Sequence, residues 1–469
     1  MSTFSGINTA SRALSAAQRG MEVTGQNIAN VGTEGYSRQR VEQSASVLNQ
    51  TGQFSQKFVP GDGVVVTGLS RVSDALATAT ARQDSAAARE QAAASTVWSG
   101  IESAIGDTGA TGLSKSLADL SSSWSDLAAK SGNDGLAGAQ ALVITRSQGV
   151  AAELAGMDGQ LEAQYAQLGL QAQTLASQAN TIAANVATLN TSIRETLVNG
   201  ASANELLDQR DQYLNQLADL TGARVVDRQD GTVDVLVGNA SLVSGDLSHG
   251  LRVSTVASTT DRTPVGAGAE RIGNQLVVTI GGQDAGPVTG SLKATLDGAN
   301  KTLVDQQKGL DDFATKLAST VNTAYDGTFF SSVAAGWTSG DPVKASQLQV
   351  SVTTATFRDS TGTGTGTGSA DRVYATAVKN AFGDVKSAWR TNVTNLAAST
   401  QSASNRADLA AQVSLKSGAV RDGVSGVNLD EEMTNLVAYQ HAYSAAARVL
   451  TSIDEALDTL INRTGLVGR

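Results

Sequence analysis

The 469 residues allow about three domains of roughly 150 residues each, with substantial buried cores. Apolar residues make up 41% of the chain but aromatics only 4%, and proline occurs 4 times, so cores of Ala, Leu, Val and Ile inside long unbroken helices are expected. A net charge of -10 excludes the cationic footprint of a nucleic-acid binder, the lack of cysteine excludes disulfides and thiolate metal sites, and no apolar run reaches the ~18 residues of a membrane-spanning helix, so no membrane insertion is expected.

Near the N-terminus Ile7, Leu14, Met21 and Ile28 lie seven apart, with Ala10, Ala17, Thr24 and Val31 at the companion positions. A sustained heptad predicts a helix, here over 6–31, that buries one seam against other helices. Asn30 and Gly32 accept the left-handed conformation that stops a helix. A turn-rich stretch follows over 32–40, then extended chain over 41–66 with turns at Gly52 and at 60–63.

Residues 71–127 return to a helical pattern, divided at 106–112 by glycines. After a second break at 131–138 comes the longest helix, 139–198, in which Leu161, Leu168, Leu175, Ile182 and Leu189 recur every seven residues. At ~1.5 Å per residue, about 50 residues of helix span about 75 Å, a length suited to a rod-like assembly. Residues 204–220 form a shorter amphipathic helix. The period then alternates: 223–237 reads as a hairpin turning at Asp230-Gly231, and 275–280 as another strand, within a small β domain.

Helix resumes over 291–325, with Leu296, Leu303, Leu310 and Leu317 seven apart. Residues 326–372 are expected to be loop and strand, with the low-complexity tract 362–368 a flexible loop. Residues 371–418 are helical. After a break at 423–426 the terminal helix, 429–461, carries Leu429, Leu436, Tyr443, Leu450 and Leu457 at seven-residue spacing.

The expected fold is mainly α with inserted β: a long helical bundle or coiled-coil core formed by the N- and C-terminal segments, plus an outward small β domain. The units are an N-terminal inner-core segment 1–65, the first half of a helical domain 66–220, β domain 221–290, helix 291–325, a flexible loop/β insertion 326–372, the second helical half 373–428 and the C-terminal inner-core helix 429–469. Stripes at both termini point to a chain that closes its ends together or pairs them with neighbouring copies. Side chains in 1–30 carry a net +1 and those in 429–469 a net -3, which favours pairing weakly and in a salt-dependent way.

No catalytic, cofactor-binding or metal-ligating constellation is legible. His249 and His441 are far apart, and neither HExxH, GxSxG nor GxxxxGK[ST] occurs. The glycine-bearing 266–273 lacks the strand and helix of a phosphate loop. Acidic neighbours such as Glu205 with Asp211, or Asp311 with Asp312, read as solvated helix surface.

The string over 26–40, QNIANVGTEGYSRQR, closely resembles the signature of bacterial flagellar rod and hook axial proteins, and it sits directly after an N-terminal heptad helix. Physically, Asn30 ends the helix, Gly35 permits a sharp reversal, and Tyr36 and Arg38 are left to pack and pair where the chain leaves the inner core. Residues 425–450 resemble the closing helix of the same family. The segment 206–222, LLDQRDQYLNQLADLTG, is similar to one in its hook-associated protein 1 branch. The usual proline of the N-terminal turn is replaced here by Glu34.

What the resemblance implies is a non-enzymatic subunit of the junction between hook and filament. It would be exported through the flagellar secretion channel without a cleaved signal and located outside the cell. Its implied partners are further copies of itself, the hook protein, the next hook-associated protein toward the filament and an export chaperone at the C-terminal helix. No cofactor is implied. The assembly interface is expected to use Ile7, Leu14, Met21, Ile28, Asn30, Gly35, Tyr36 and Arg38 with Leu429, Leu436, Tyr443, Leu450 and Leu457. Another hook or rod axial protein, a surface-acting enzyme on a flagellar scaffold and an extracellular coiled-coil adhesin are the alternatives.

Overall fold

The computed structural model describes residues 3–46, 63–107, 109–130, 134–257, 274–334, 336–358 and 373–459. The expected turns at Gly52 and Pro60, the loop 266–273, the tract 362–368 and the chain beyond 459 lie outside these residues.

The two chain ends form one unit. Helix α1 (Thr3–Ala29) lies between a two-stranded antiparallel hairpin, β1 (Gln39–Ala45) with β2 (Val64–Arg71), and the C-terminal helix α9 (Leu429–Asp458). Arg71, expected to begin a helix, instead closes β2. Asp74 caps the helix that follows, its carboxylate accepting from Leu76 N at 2.8 Å and Ala77 N at 3.0 Å.

The helical body holds α2 (Ala75–Ile105), α3 (Leu113–Ala128), α4 (Leu136–Val198), α5 (Asn204–Thr221), α6 (Gly290–Asp297), α7 (Leu303–Tyr325) and α8 (Val373–Ser425). The 63 residues of α4 give a helix of about 95 Å. Along it Leu161, Leu168 and Leu189 are buried, while Leu175 and Ile182 are half-buried. Leu296, Leu303, Leu310 and Leu317 are all buried, as their spacing predicts. Between α6 and α7 one π-helical turn, Gly298–Thr302, lets the axis continue. A Cβ on Gly298 would stand 2.9 Å from Val97, so glycine there lets α2 approach closely.

Two antiparallel sheets pack on the flank of α4. One has the order β3 (Arg224–Asp227), β4 (Val233–Val237), β5 (Ala240–Ser244), β6 (Leu247–Ser248). The other runs β7 (Leu251–Ala257), β8 (Asn274–Ile280), β9 (Gln283–Asp284). Val235, Leu242 and Val278 belong to the same apolar core as Leu154 and Leu161 of α4.

Helix asparagines fix the strands in place. Asn180 grips both backbone groups of Leu251, donating to its carbonyl at 2.8 Å and accepting from its N–H at 2.7 Å. Asn190 does the same to Val233, and Asn300 to Leu276. Each amide replaces one rung of a β-ladder, so the strand backbone stays satisfied against a helix that offers no free backbone groups of its own.

The insertion after α7 contains strand as well as loop. Within it β10 (Phe330–Ser332) pairs with β11 (Leu348–Val350). Phe329 and Phe357 stack around Trp124 of α3 and Tyr325 of α7, with ring centroids 5.1–5.7 Å apart along these contacts. Asn322 clamps Phe330 as the other asparagines clamp their strands. With Phe330 and Tyr374 these rings form one cluster that anchors the insertion in the core at Phe329, Phe330 and Phe357.

Candidate assembly interface

Helices α1 and α9 run antiparallel in a single register. A Cβ on Gly6 would lie 3.0 Å from Ile453, one on Gly20 would collide with the ring of Tyr439 at 2.5 Å, and Asn27 bonds Glu432 at 3.0 Å. Steps of fourteen and seven residues up α1 match equal steps down α9. The same register sets Ala13 opposite the buried Ala446. The seam within the subunit is therefore a heptad of small residues, Gly6, Ala13, Gly20 and Asn27, one position before the apolar heptad. Small residues let the two backbones approach closely, and Tyr439 and Ile453 fill the notches.

The large apolar residues are left at the margins. Ile7, Leu14, Met21 and Ile28 are half-buried, as are Leu436 and Leu457. Leu429, Tyr443 and Leu450 are exposed, and so are Met433 and Val437 on the same helix. The structure therefore does not close the two expected stripes onto one another. It leaves both with surface facing away from the subunit.

Beyond the seam a polar clasp joins four parts of the chain. The Asn27 amide is saturated: its oxygen accepts from Tyr36 Oη at 2.9 Å and Gln39 N at 3.0 Å, and its nitrogen donates to Gln39 O at 2.9 Å and to Glu432. Glu432 is 2% exposed, and its other oxygen receives Arg38 Nε at 2.8 Å. Arg38 also reaches the exposed Glu431 at 2.7 Å, and its backbone N–H donates to Ser425 O at the end of α8. Arg38, which lies beyond the charges counted in 1–30, supplies this contact with α9, while Arg19 pairs with Glu22 on its own helix and Arg12 donates to Ser46 at 2.7 Å.

The other half of the clasp reaches α5. Ser37 N donates to Asp208 at 3.1 Å. Arg71 at the end of β2 bridges Asp208 at 2.7 Å and Asp211 at 2.9 Å, and Arg82 of α2 lies 3.7 Å from Asp211. Gln39 accepts from Asn204 at 3.2 Å and donates to Glu205 at 3.1 Å. Gly35, at φ +77°, makes the reversal that brings Tyr36 here, and any side chain on it would overlap Gln212. Asn30 ends α1, its backbone N–H and side chain both bonding Gln26 O at 3.0 Å.

Burial pushes the Tyr36 phenol up to about 12, helped by the carboxylates of Asp208, Glu205 and Glu432, so it remains a hydrogen-bond donor. Burial alone would pull the Arg71 guanidinium down, but Asp211 and Asp208 outweigh it and hold the group above its ordinary value. Burial lowers Arg82 and Arg210.

Glu205 is exposed on α5, as expected of solvated helix surface, and also accepts from Gln39, while Asp211 is half-buried within the clasp. Asp311 is instead buried and accepts from Ala345 N at 2.8 Å, whereas Asp312 is the exposed partner of Lys308. Asn27, Gln39, Arg71, Asp208 and Glu432 were not singled out. Asn27 and Gln39 stand inside the string 26–40, but nothing local distinguishes a saturated buried amide from a surface one. Among the described residues no group of three or more His, Cys, Asp or Glu side chains is placed to hold a metal, and no helix is long and apolar enough to cross a membrane. The clasp carboxylates are held by arginine, amide and backbone donors. Such an arrangement sets the position of the terminal pair against the helical body.

Comparison with known proteins aligns with these divisions. Residues 98–329 match the flagellar hook-associated protein FlgK helical domain, 7–36 the flagella basal body rod protein family, and 418–463 the C-terminal family of the flagellar basal body rod FlgEFG proteins. The chain is 28% identical to flagellar hook-associated protein 1 of Bacillus subtilis over the full length of both. It is 28% identical to that of Escherichia coli over 69% of this chain and 57% of the relative, and 30% identical to that of Salmonella typhimurium over 57% and 48%. The solved flagellar hook junction protein FlgK from Burkholderia pseudomallei aligns with a TM-score of 0.43 at 22% identity, over 55% of this chain and 47% of that one.

Proposed function

The chain belongs to the flagellar hook-associated protein 1 family and is a structural subunit of the bacterial flagellum at the hook–filament junction, and we propose that it fills this role by offering the outer faces of α1 and α9 to neighbouring subunits. One observation carries that mechanism: the seam inside the subunit uses the small heptad, which leaves Leu429, Tyr443 and Leu450 exposed and Ile7, Leu14, Met21 and Ile28 only half covered. An apolar stripe on a helix is stable when another surface takes it out of water. The faces of α1 and α9 differ, and contact between unlike faces builds rings or helical assemblies rather than closed pairs.

The terminal pair is also thinly supported by its own subunit. Its buried apolar residues are largely alanines, Ala10, Ala16, Ala17 and Ala446 with Val23. Each burial contributes little, whereas ordering a residue costs about 1–2 kcal/mol. The pair therefore gains much of its order when neighbours cover it, which holds back premature polymerisation.

The hook protein on one side, the next hook-associated protein on the other and an export chaperone on α9 are the partners this reading assigns. It also assigns export without a cleaved signal and no catalytic role. Leu450→Asp is the decisive variant. It changes an exposed position, so the purified monomer keeps its unfolding midpoint, while cells carrying it make hooks without filaments. Normal motility in those cells would overturn the assignment of this face.

A further inference from the structure

A groove of about 550 Å³ lies between the first half of α2 and β3. β3 is the edge strand of its sheet. The groove floor is short: Ala86, Ala218 and Ala223 are buried, and Gly222 adds no side chain. Its rim carries Arg82 and Arg224, with Gln83 and Glu90. This size falls within the roughly 300–1,000 Å³ of pockets that take ligands. The alanine floor leaves space that larger residues would have filled, and the exposed Arg224 suits an acidic occupant, whereas Arg82 is turned toward Asn215 and Asp211.

A matching surface occurs on the same chain where α8 passes to α9. Val420, Val424, Leu429 and Met433 are exposed, Met433 by 51%, at spacings of four, five and four. Asp422, Asp430 and Glu431 flank them and are exposed as well, Asp422 beside Arg421 and Glu431 beside Arg38. The stripe is uncovered within its own subunit, although Arg421 beside it lies close enough to Arg82 to help depress that guanidinium.

We propose that the acid-flanked apolar junction of α8 and α9 on one copy seats in the alanine-floored, arginine-rimmed groove between α2 and β3 of a second copy. The proposal rests on the self-assembly described above and names one of its contacts. Apolar residues against the alanines exclude water, and Asp430 against Arg224 sets the orientation. The two surfaces differ, so each copy gives one and receives one, which extends a ring or helix.

The lack of cysteine makes the contact directly readable. Ala87→Cys and Met433→Cys are placed on separately tagged copies, co-expressed in cells lacking the native gene, and oxidised in isolated hook–filament structures. A disulfide-linked dimer carrying both tags is expected, and none when Val333→Cys in the insertion replaces Ala87→Cys. Filaments that grow normally but yield no mixed dimer overturn the groove contact and leave the junction role standing. Filament growth in the cells lacking the gene would instead strike the junction role itself. If the cysteine variants fail to assemble, a charge exchange decides. Arg224→Glu should abolish filaments and Asp430→Arg in the same chain should restore them, and lack of restoration overturns the contact.

Discussion

Around Trp124 the helical body brings Tyr325, Phe329 and Phe357 into mutual contact, with Trp124 fully buried. Between α1 and α9, by contrast, the seam is closed by Gly6, Gly20 and alanines, and the larger apolar side chains lie at its edges. The first arrangement removes a large apolar area from water within one subunit and is stable alone. The second brings two backbones close, fixes their register and leaves its largest hydrophobic groups at the margin. On the proposed reading, the first region is completed by its own folding and the second by assembly.

This contrast can be broken experimentally. The largest effect is expected from Trp124→Ala, which should cost about 3–5 kcal/mol of monomer stability through a cavity in the aromatic cluster, read as a lower denaturation midpoint. A shift under about 1 kcal/mol would show that the body does not depend on that cluster.

Glu432→Ala should act more locally. It leaves Arg38 and Asn27 donors without their acceptor in a buried place, at about 1–3 kcal/mol. Hydrogen exchange should quicken over α9 while the midpoint of the body stays put. If the two moved together, the terminal pair and the body would be one cooperative unit and the distinction would fail.

The smallest effect is a pH dependence. The Tyr36 phenol is raised from 10.0 to about 12, so its contribution to the clasp is complete below pH 10 and lost as pH climbs through 12. The phenolate absorbance difference between the native chain and Tyr36→Phe should therefore appear near pH 12. A transition at pH 10 would mean that Tyr36 is not enclosed by the clasp.

Within the string 26–40 a glycine reversal at Gly35 and the polar pair Tyr36 and Arg38 leave a local mark, and these side chains reach Asn27 and Glu432. The remainder of the clasp comes from α5, β2 and α9, as far as 405 residues away for the bond between Asn27 and Glu432. No local pattern links such positions. The insertion shows the same limit. No local pattern links Phe329 and Phe357 to Trp124 and Tyr325, which α3 and α7 bring against them.

The sequence by itself determined most of the helical segments and which of their faces are apolar, because helical periodicity acts over a few residues. It did not determine every end: Arg71 closes β2, α8 runs on to Ser425, and neither Asn30 nor Gly32 takes the left-handed conformation. Only the tertiary structure decided which face of α1 meets α9. A seven-residue repeat fits equally well one position earlier, and the choice is made by the notches at Gly6 and Gly20 and by the bond from Asn27 to Glu432, contacts that exist only once the two ends of the chain lie side by side.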